Sequence, residues 1–436
     1  MRTSFALLLI ILLHLPLEGQ INRAARSRLL AFAHVTVIDM TGARPEADMT
    51  VVIRGARIVA IGRSPKVRIP RTARVIDATG RFLIPGLWDM HAHLGDEDFD
   101  RNSSLRLFIA NGVTGIRIMD GAPEHHAWRR EVESGTLLGP RMFIASRAIG
   151  SPDLSNLSPK QIREEVRRAK REGADFIKVH DNVPRESYFA LVDEAERLGL
   201  PFEGHVPVTI TAEEASSAGQ KSIEHFTGLD GARADDGKAA ALIAVLKKNG
   251  TWLCPTIIMR SNYASLDDAR LAKDPRLRYV KPSWRRRWLG MSRGAADTPP
   301  GEWSRRKELV REEKALVGKM QRAGVGILAG TDDGNPYSIP GFGLHDELAM
   351  LVEAGLTPMQ ALQAATSHAA KFFDKLDSLG TVEKGKLADL VLLDADPLEN
   401  IRATARINSV VLRGRYFPSG ELRNMLAEVE AASGKR

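Results

Sequence analysis

His91 and His93 stand two positions apart at the end of the run Gly86–His91, which reads as a strand. Side chains two apart on a strand share a face, so both imidazoles project to the same side. Lys178 sits in a second strand-like run, Phe176–His180, where a bare buried cation is costly unless its head snorkels or is paired. His205 closes the run Pro201–His205 and His225 closes Lys221–His225. The run Gly326–Thr331 ends in Gly330-Thr331-Asp332, with Asp333 adjoining. One histidine at a strand end is usually structural, but two on consecutive strands, joined by a His-x-His pair and a carboxylate, point to metal ligation. His180 shares a face with Lys178, which leaves it either to contact substrate or to brace a metal site. His34, His125, His126 and His368 read as structural or solvated, and His345 as capping or packing a helix start.

These residues need a scaffold that gathers strand ends. Strand-like runs also occur at Val113–Met119, Arg141–Ala145 and Trp252–Thr256, making eight in all, mostly separated by helical segments. One such helix spans 158–173, with Ser158 as N-cap and Gly173 as its stop. Eight alternations favour a closed (β/α)8 TIM barrel, an α/β fold, over residues 85–378. An open doubly wound sheet is the competing arrangement, but its G-x-G-x-x-G fingerprint is absent. The chain ends are rich in β signals: His34–Asp39, a hairpin over Thr50–Ile61, Val75–Asp77, Arg81–Ile84, a hairpin-like Leu379–Lys386, Asp389–Leu393 and Ser409–Val411. Residues 31–84 and 379–416 are therefore expected to build one small β-sandwich domain, with 417–436 as a tail. The stretch 257–321 is too long for an ordinary loop and should cover the site. Its Arg285-Arg286-Arg287 and Arg305-Arg306-Lys307 read mainly as a solvated face over Trp284 and Trp288, or as cations meeting a substrate carboxylate.

The run Leu83-Ile84-Pro85-Gly86-Leu87-Trp88-Asp89-Met90-His91-Ala92-His93 resembles the amidohydrolase superfamily, whose first barrel strand commonly ends this way. The resemblance extends from about Val35 to Pro397 and is nearest the branch joining imidazolonepropionase relatives with prolidase-like dipeptidases. It implies a binuclear site with His91, His93, Lys178, His205, His225 and Asp332 as ligands. By the same resemblance Lys178 is carboxylated by CO2 and bridges two metals, and Asp332 is also the proton shuttle. Nitrogen and oxygen donors suit Zn2+ best, with Mn2+, Fe2+ or Co2+ as alternatives. The implied reaction is hydrolysis of an amide or peptide C–N bond, in a dipeptide or N-acyl amino acid, by a metal-bridging hydroxide. Lactone or phosphoester hydrolysis on the same metals, or a non-catalytic scaffold, are the alternatives. Lys178 argues against imidazolonepropionase itself. The region Ala145–Asn156 lacks the Gly- and His-rich segment of the dipeptidases.

Composition narrows the setting. Of 436 residues, 43% are hydrophobic and 27% charged, which excludes a disordered or multi-span membrane chain. The net charge of +8 comes with no nucleic-acid motif, so the expected partner is a small-molecule substrate. The single cysteine, Cys254, cannot form an intramolecular disulfide. Arg2, the apolar run Phe5–Leu13, Pro16 and Gly19 read as a signal peptide over residues 1–19, implying export and no membrane attachment after its removal. Homo-oligomerisation is left open.

Overall fold

A computed structural model describes residues 29–95 and 98–434. The expected signal peptide, 1–19, lies outside them. Among the described residues no helix is long and apolar enough to cross a membrane.

Alternating β-branched and aliphatic side chains make the N-terminal part extended. Its strands are β1 (Leu29–Val37), β2 (Glu46–Arg54), β3 (Arg57–Arg63), β4 (Arg74–Asp77) and β5 (Phe82–Pro85). Seven parallel barrel strands follow: β6 (Leu87–Ala92), β7 (Val113–Ile118), β8 (Arg141–Ile144), β9 (Ile177–Val179), β10 (Phe202–Gly204), β11 (Ser222–Glu224) and β12 (Trp252–Cys254). The last three are β13 (Leu390–Leu393), β14 (Ile407–Leu412) and β15 (Arg415–Pro418).

The barrel closes. β6-β7-β8 and β9-β10-β11-β12 form two arcs, joined by the parallel bridge Ala145–Phe176. The eighth staves is the irregular stretch 326–332. It pairs with β12 through the Leu253–Ile327 bridge and with β6 through Met90 N–H donating to Ala329 O and Asp332 N–H to His91 O. Gly330 permits this approach, since a Cβ there would lie 2.7 Å from the His91 Cβ and 2.6 Å from the Cys254 sulfur. The apolar core fills the space between the strands and their covering helices. The helix Pro159–Glu172 shows how sequence sets these boundaries. Ser158 Oγ accepts the Gln161 N–H at its start, and Gly173 takes the left-handed conformation (φ 85°) at its end.

Both chain ends meet in one continuous eight-stranded sheet. β5 pairs antiparallel with β13, while β1 pairs with β2, with β4 along its first half and with β5 along its second. Two expectations are corrected. Leu379–Lys386 turns back on itself, with Leu387 N–H donating to Ser378 O, but forms no strand pair. Its end lies along the start of β3 instead, where Ile58 N–H donates to Lys386 O and Gly385 N–H to Ile58 O. The expected tail is structured over its described residues, 417–434. They complete β15 and continue as the helix Ser419–Ser433, which buries Leu422, Met425 and Val429. Leu422 and Met425 pack with Ile109 and Ala110 of the barrel.

The long segment after β12 carries the helices Ile257–Tyr263, Pro282–Gly294 and Pro300–Ala323. It has its own apolar cluster, including Leu266, Trp288 and Trp303, shared with Tyr337 and Ile339 beyond the eighth strand. Most of its cations are solvated as expected: Arg305 and Arg306 pair with Glu302, and Lys307 with Asp267, at the surface.

Candidate metal centre

The C-terminal ends of the barrel strands open into a cavity of about 430 Å3. His91, His93, Lys178, His180, His205, His225 and Asp332 all line it. Parallel strands with side chains alternating in and out bring these distant residues to one rim. Gly204 helps: a Cβ there would meet the Val179 carbonyl oxygen at 2.2 Å, so only glycine lets β10 lie this close to the strand bearing Lys178.

Asp332 is the centre of the group. One oxygen lies 3.0 Å from His93 Nε2 and 3.6 Å from His91 Nε2, and the other lies 3.6 Å from His225 Nε2. Ring centroids run 5.3 Å from His91 to His93, 4.7 Å from His91 to His225 and 4.9 Å from His225 to His205. His225 and Asp332, just past strand ends, and Thr256, at the start of the helix Ile257–Tyr263, have positive φ at 59°, 51° and 47°. Left-handed backbone is unfavourable for non-glycine residues, above all for a β-branched one, and clusters where geometry serves a site.

Three rings are held by their Nδ1 atoms. His91 Nδ1 lies 2.8 Å from Glu224 Oε2, His205 Nδ1 2.7 Å from Asp181 Oδ1, and His225 Nδ1 2.6 Å from Thr256 Oγ1. Donation of Nδ1–H to the carboxylates leaves the Nε2 lone pairs of His91 and His205 for a ligand. Burial, with the Lys178 charge nearby, pushes His91 well below its ordinary range and His205 down to about 4. Burial also holds His225 well below that range. Neutral imidazoles are what metal binding requires.

Beneath the rim lies a buried charge network. Arg117 has no exposed surface. Its guanidinium donates to Glu203 Oε2 at 2.8 Å, to Glu224 at 2.8 and 2.9 Å, and to the Met90 carbonyl at 2.5 Å. Ser222 Oγ donates to Glu224 as well. His91, Glu224 and Cys254 also approach one another closely. Both Glu224 oxygens are committed to Arg117, Ser222 and His91, so Glu224 fixes the His91 ring. Asp89 plays a comparable part, accepting from His91 N–H, Thr331 N–H and Thr331 Oγ1. The Asp333 carboxylate receives the His93 N–H at 2.6 Å and ties strand eight to strand one.

Sequence reasoning did not single out Arg117, Glu203, Glu224, Asp181 or Thr256. Charges at Arg117, Glu203 and Glu224 inside barrel strands were the available signal. Of the other histidines, His345 bonds Thr404, His368 bonds the Ile327 carbonyl and His34 pairs with Asp48, all away from this cavity.

Lys178 tests whether the donors suit a metal. Its amine is buried and has no hydrogen-bond partner among the described residues. Burial pulls its pKa down from the usual lysine value. An unpartnered buried amine is costly, and this one lines the same cavity as the histidines and Asp332. His91, His225 and Asp332 bring one ligand atom each within 4.8 Å of one another. The residues present fit a metal centre.

Comparison with known proteins agrees. The model of the Amidohydrolase family matches residues 82–416. The chain is 26% identical over 389 residues to an ochratoxinase of Aspergillus niger, covering 73% of this chain and 72% of that protein. A solved bottromycin amidohydrolase is similar at TM-score 0.77 and 26% identity, covering 97% of this chain and 94% of that one. The fold is also shared with a putative prolidase from Bifidobacterium longum, at TM-score 0.71, 24% identity and coverage of 92% and 99%.

Proposed function

Since the chain belongs to the amidohydrolase family and is a hydrolase acting on C–N bonds, we propose that it cleaves the amide bond of a dipeptide or N-acyl amino acid. The observation that carries this reading is the buried, unpartnered Lys178 amine inside a ring of His91, His93, His205, His225 and Asp332. The names of the similar proteins, an ochratoxinase and a bottromycin amidohydrolase, support amide hydrolysis.

These six residues would hold two divalent ions, with Zn2+ best matched to the donors. When bound, such ions polarise a carbonyl and lower the pKa of water toward neutrality. Lys178 prepares the site by carboxylation. Burial lowers the pKa of this amine, and its unprotonated nitrogen attacks CO2, forms an N–C bond and releases a proton to solvent, turning a buried amine into an anionic oxygen donor. Glu224 and Asp181 hold the His91 and His205 rings in place. Asp332 takes the proton of the attacking water on a carboxylate oxygen and passes it to the leaving nitrogen. Trp284 and Arg287 of the helix Pro282–Gly294 line the cavity beside these residues.

The test is a screen of the protein, reconstituted with Zn2+ or Mn2+ and bicarbonate, against dipeptides and N-acyl amino acids beside lactones and phosphoesters. Turnover confined to lactones or phosphoesters would overturn the proposal.

A further inference from the structure

The cavity wall opposite the histidines comes from the long segment after β12. Trp284, Arg287 and Trp288 occupy positions i, i+3 and i+4 of the helix Pro282–Gly294 and therefore share a face. Trp288 is fully buried and anchors the helix. Trp284 and Arg287 line the cavity, whereas Arg285 and Arg286 do not.

This face is docked on the loop that follows Asp332 and Asp333. Trp288 Nε1 donates to the Gly334 carbonyl at 3.3 Å, and Arg287 Nη2 reaches the same oxygen at 3.5 Å. Gly334 has φ 89°, and a Cβ there would lie 3.0 Å from the Trp284 ring, so the ring rests on bare backbone. The ring is further fixed by near-parallel stacking on Trp288 and by Lys281 over its face. Next to it, Asn335 accepts from Tyr263 Oη at 2.9 Å and donates to the Asp332 carbonyl at 3.1 Å. The wall is thus tied to the strand carrying Asp332.

Among the described residues Arg287 has no carboxylate within ion-pair distance, although most arginines around the barrel are paired. A guanidinium offers several donors to a planar oxyanion, and this one, exposed to solvent and lining the cavity on the same helix face as Trp284, is placed to meet such a ligand. We propose that Arg287 receives the free carboxylate of the substrate, with Trp284 packing against the side chain of the same amino acid. The substrate class is then an N-acyl amino acid or dipeptide with an ionised C-terminal carboxylate and an apolar side chain. This deepens the function proposed above and rests on it for the reaction, but not for the binding.

The test uses 3-phenylpropanoate and 3-phenylpropanamide as binding probes of the metal-loaded enzyme; neither carries the internal N-acyl bond of the proposed substrates, and the primary amide is checked by chromatography to stay intact during the titration. Affinity is read by calorimetry for wild type, Arg287→Ala, Arg287→Lys and Arg286→Ala. The expected result is tighter binding of the acid than of the amide by about tenfold or more, the range of a charge-assisted bond. Arg287→Ala should abolish that preference, Arg287→Lys restore part of it, and Arg286→Ala retain it. An acid preference that persists in Arg287→Ala, or one absent from wild type, overturns the proposal. Hydrolysis of N-acyl amino acids with an unchanged preference for the acid over its carboxamide in Arg287→Ala refutes the subsite and leaves the amide-hydrolase reading standing. Binding that depends on Arg287, with no amide hydrolysed, refutes that reading and leaves the subsite.

Discussion

Glu224→Gln isolates what the buried network does for the metal centre. The Glu224 carboxylate, with no exposed surface, takes two bonds from Arg117, one from Ser222 and one from His91 Nδ1. The amide has the same shape but no charge, and only one of its two terminal atoms accepts. Arg117 is left with Glu203 as its charged partner, and breaking one arm of a buried pair costs about 3–5 kcal/mol. The amide nitrogen can also donate to His91 Nδ1, which moves the ring proton to Nε2 and blocks its lone pair. Loss of such an outer partner weakens metal affinity by about 10- to 100-fold. Urea unfolding of the metal-free protein reads the first quantity, and Zn2+ titration against a competing chelator reads the second. Ser222→Ala, which removes the bond Oγ–H gives to Glu224 and the bond Oγ accepts from Arg117, should cost about 1–2 kcal/mol and leave Zn2+ affinity unchanged. If Glu224→Gln binds Zn2+ as tightly as wild type, or loses no more stability than Ser222→Ala, the network does not orient His91. Should the amide variant not fold, Glu224→Asp keeps the charge, withdraws it by one methylene and carries the same comparison.

Asp332→Asn should keep much of the metal yet lose about 10²–10⁴ in turnover per bound ion, whereas Asp333→Asn should change the rate little; steady-state kinetics normalised to metal content decides between them. Wild type supplied with bicarbonate and Zn2+ should bind about two ions per chain, and Lys178→Ala should bind fewer; elemental analysis that shows one ion in both removes the bridging role. Burial pushes His345 down to about 4 from its ordinary 6.5, so the unfolded chain binds its proton first as pH falls. Stability from this residue is complete above pH 6.5 and is lost toward pH 4, by up to about 3 kcal/mol, and His345→Gln should flatten the urea-derived stability profile in that window. Zn2+ at about 100 times its dissociation constant should stabilise the fold by about 2.7 kcal/mol, seen as a Tm increase that a chelator reverses.

Local pattern was enough to read the strands and much of their order. Alternation and apolar runs marked Val113–Ile118 and Ile177–Val179, and Ser158 and Gly173 marked a helix, because these signals act over a few residues. The histidines, Lys178 and Asp332 that line the cavity were also legible, since each lies in or just after its own strand-like run. Pattern failed where hydrogen bonds come from distant chain. Leu379–Lys386 looks like a hairpin in isolation, but its end bonds β3 and Val382 N–H bonds Asp39 O, so no strand pair forms within it. The eighth stave, 326–332, is irregular, and its neighbours β12 and β6 hold it in place. Only tertiary structure separates Arg287 from Arg285 and Arg286. The three look alike in sequence, and helical rotation together with the docking of Trp284 on Gly334 turns just one into the cavity. Arg117 and Glu224 are 107 residues apart, and a charge inside a strand does not announce its partner. Barrel closure supplies that partner, because burial of a charge is tolerated only where the fold brings its counter-charge within hydrogen-bond distance.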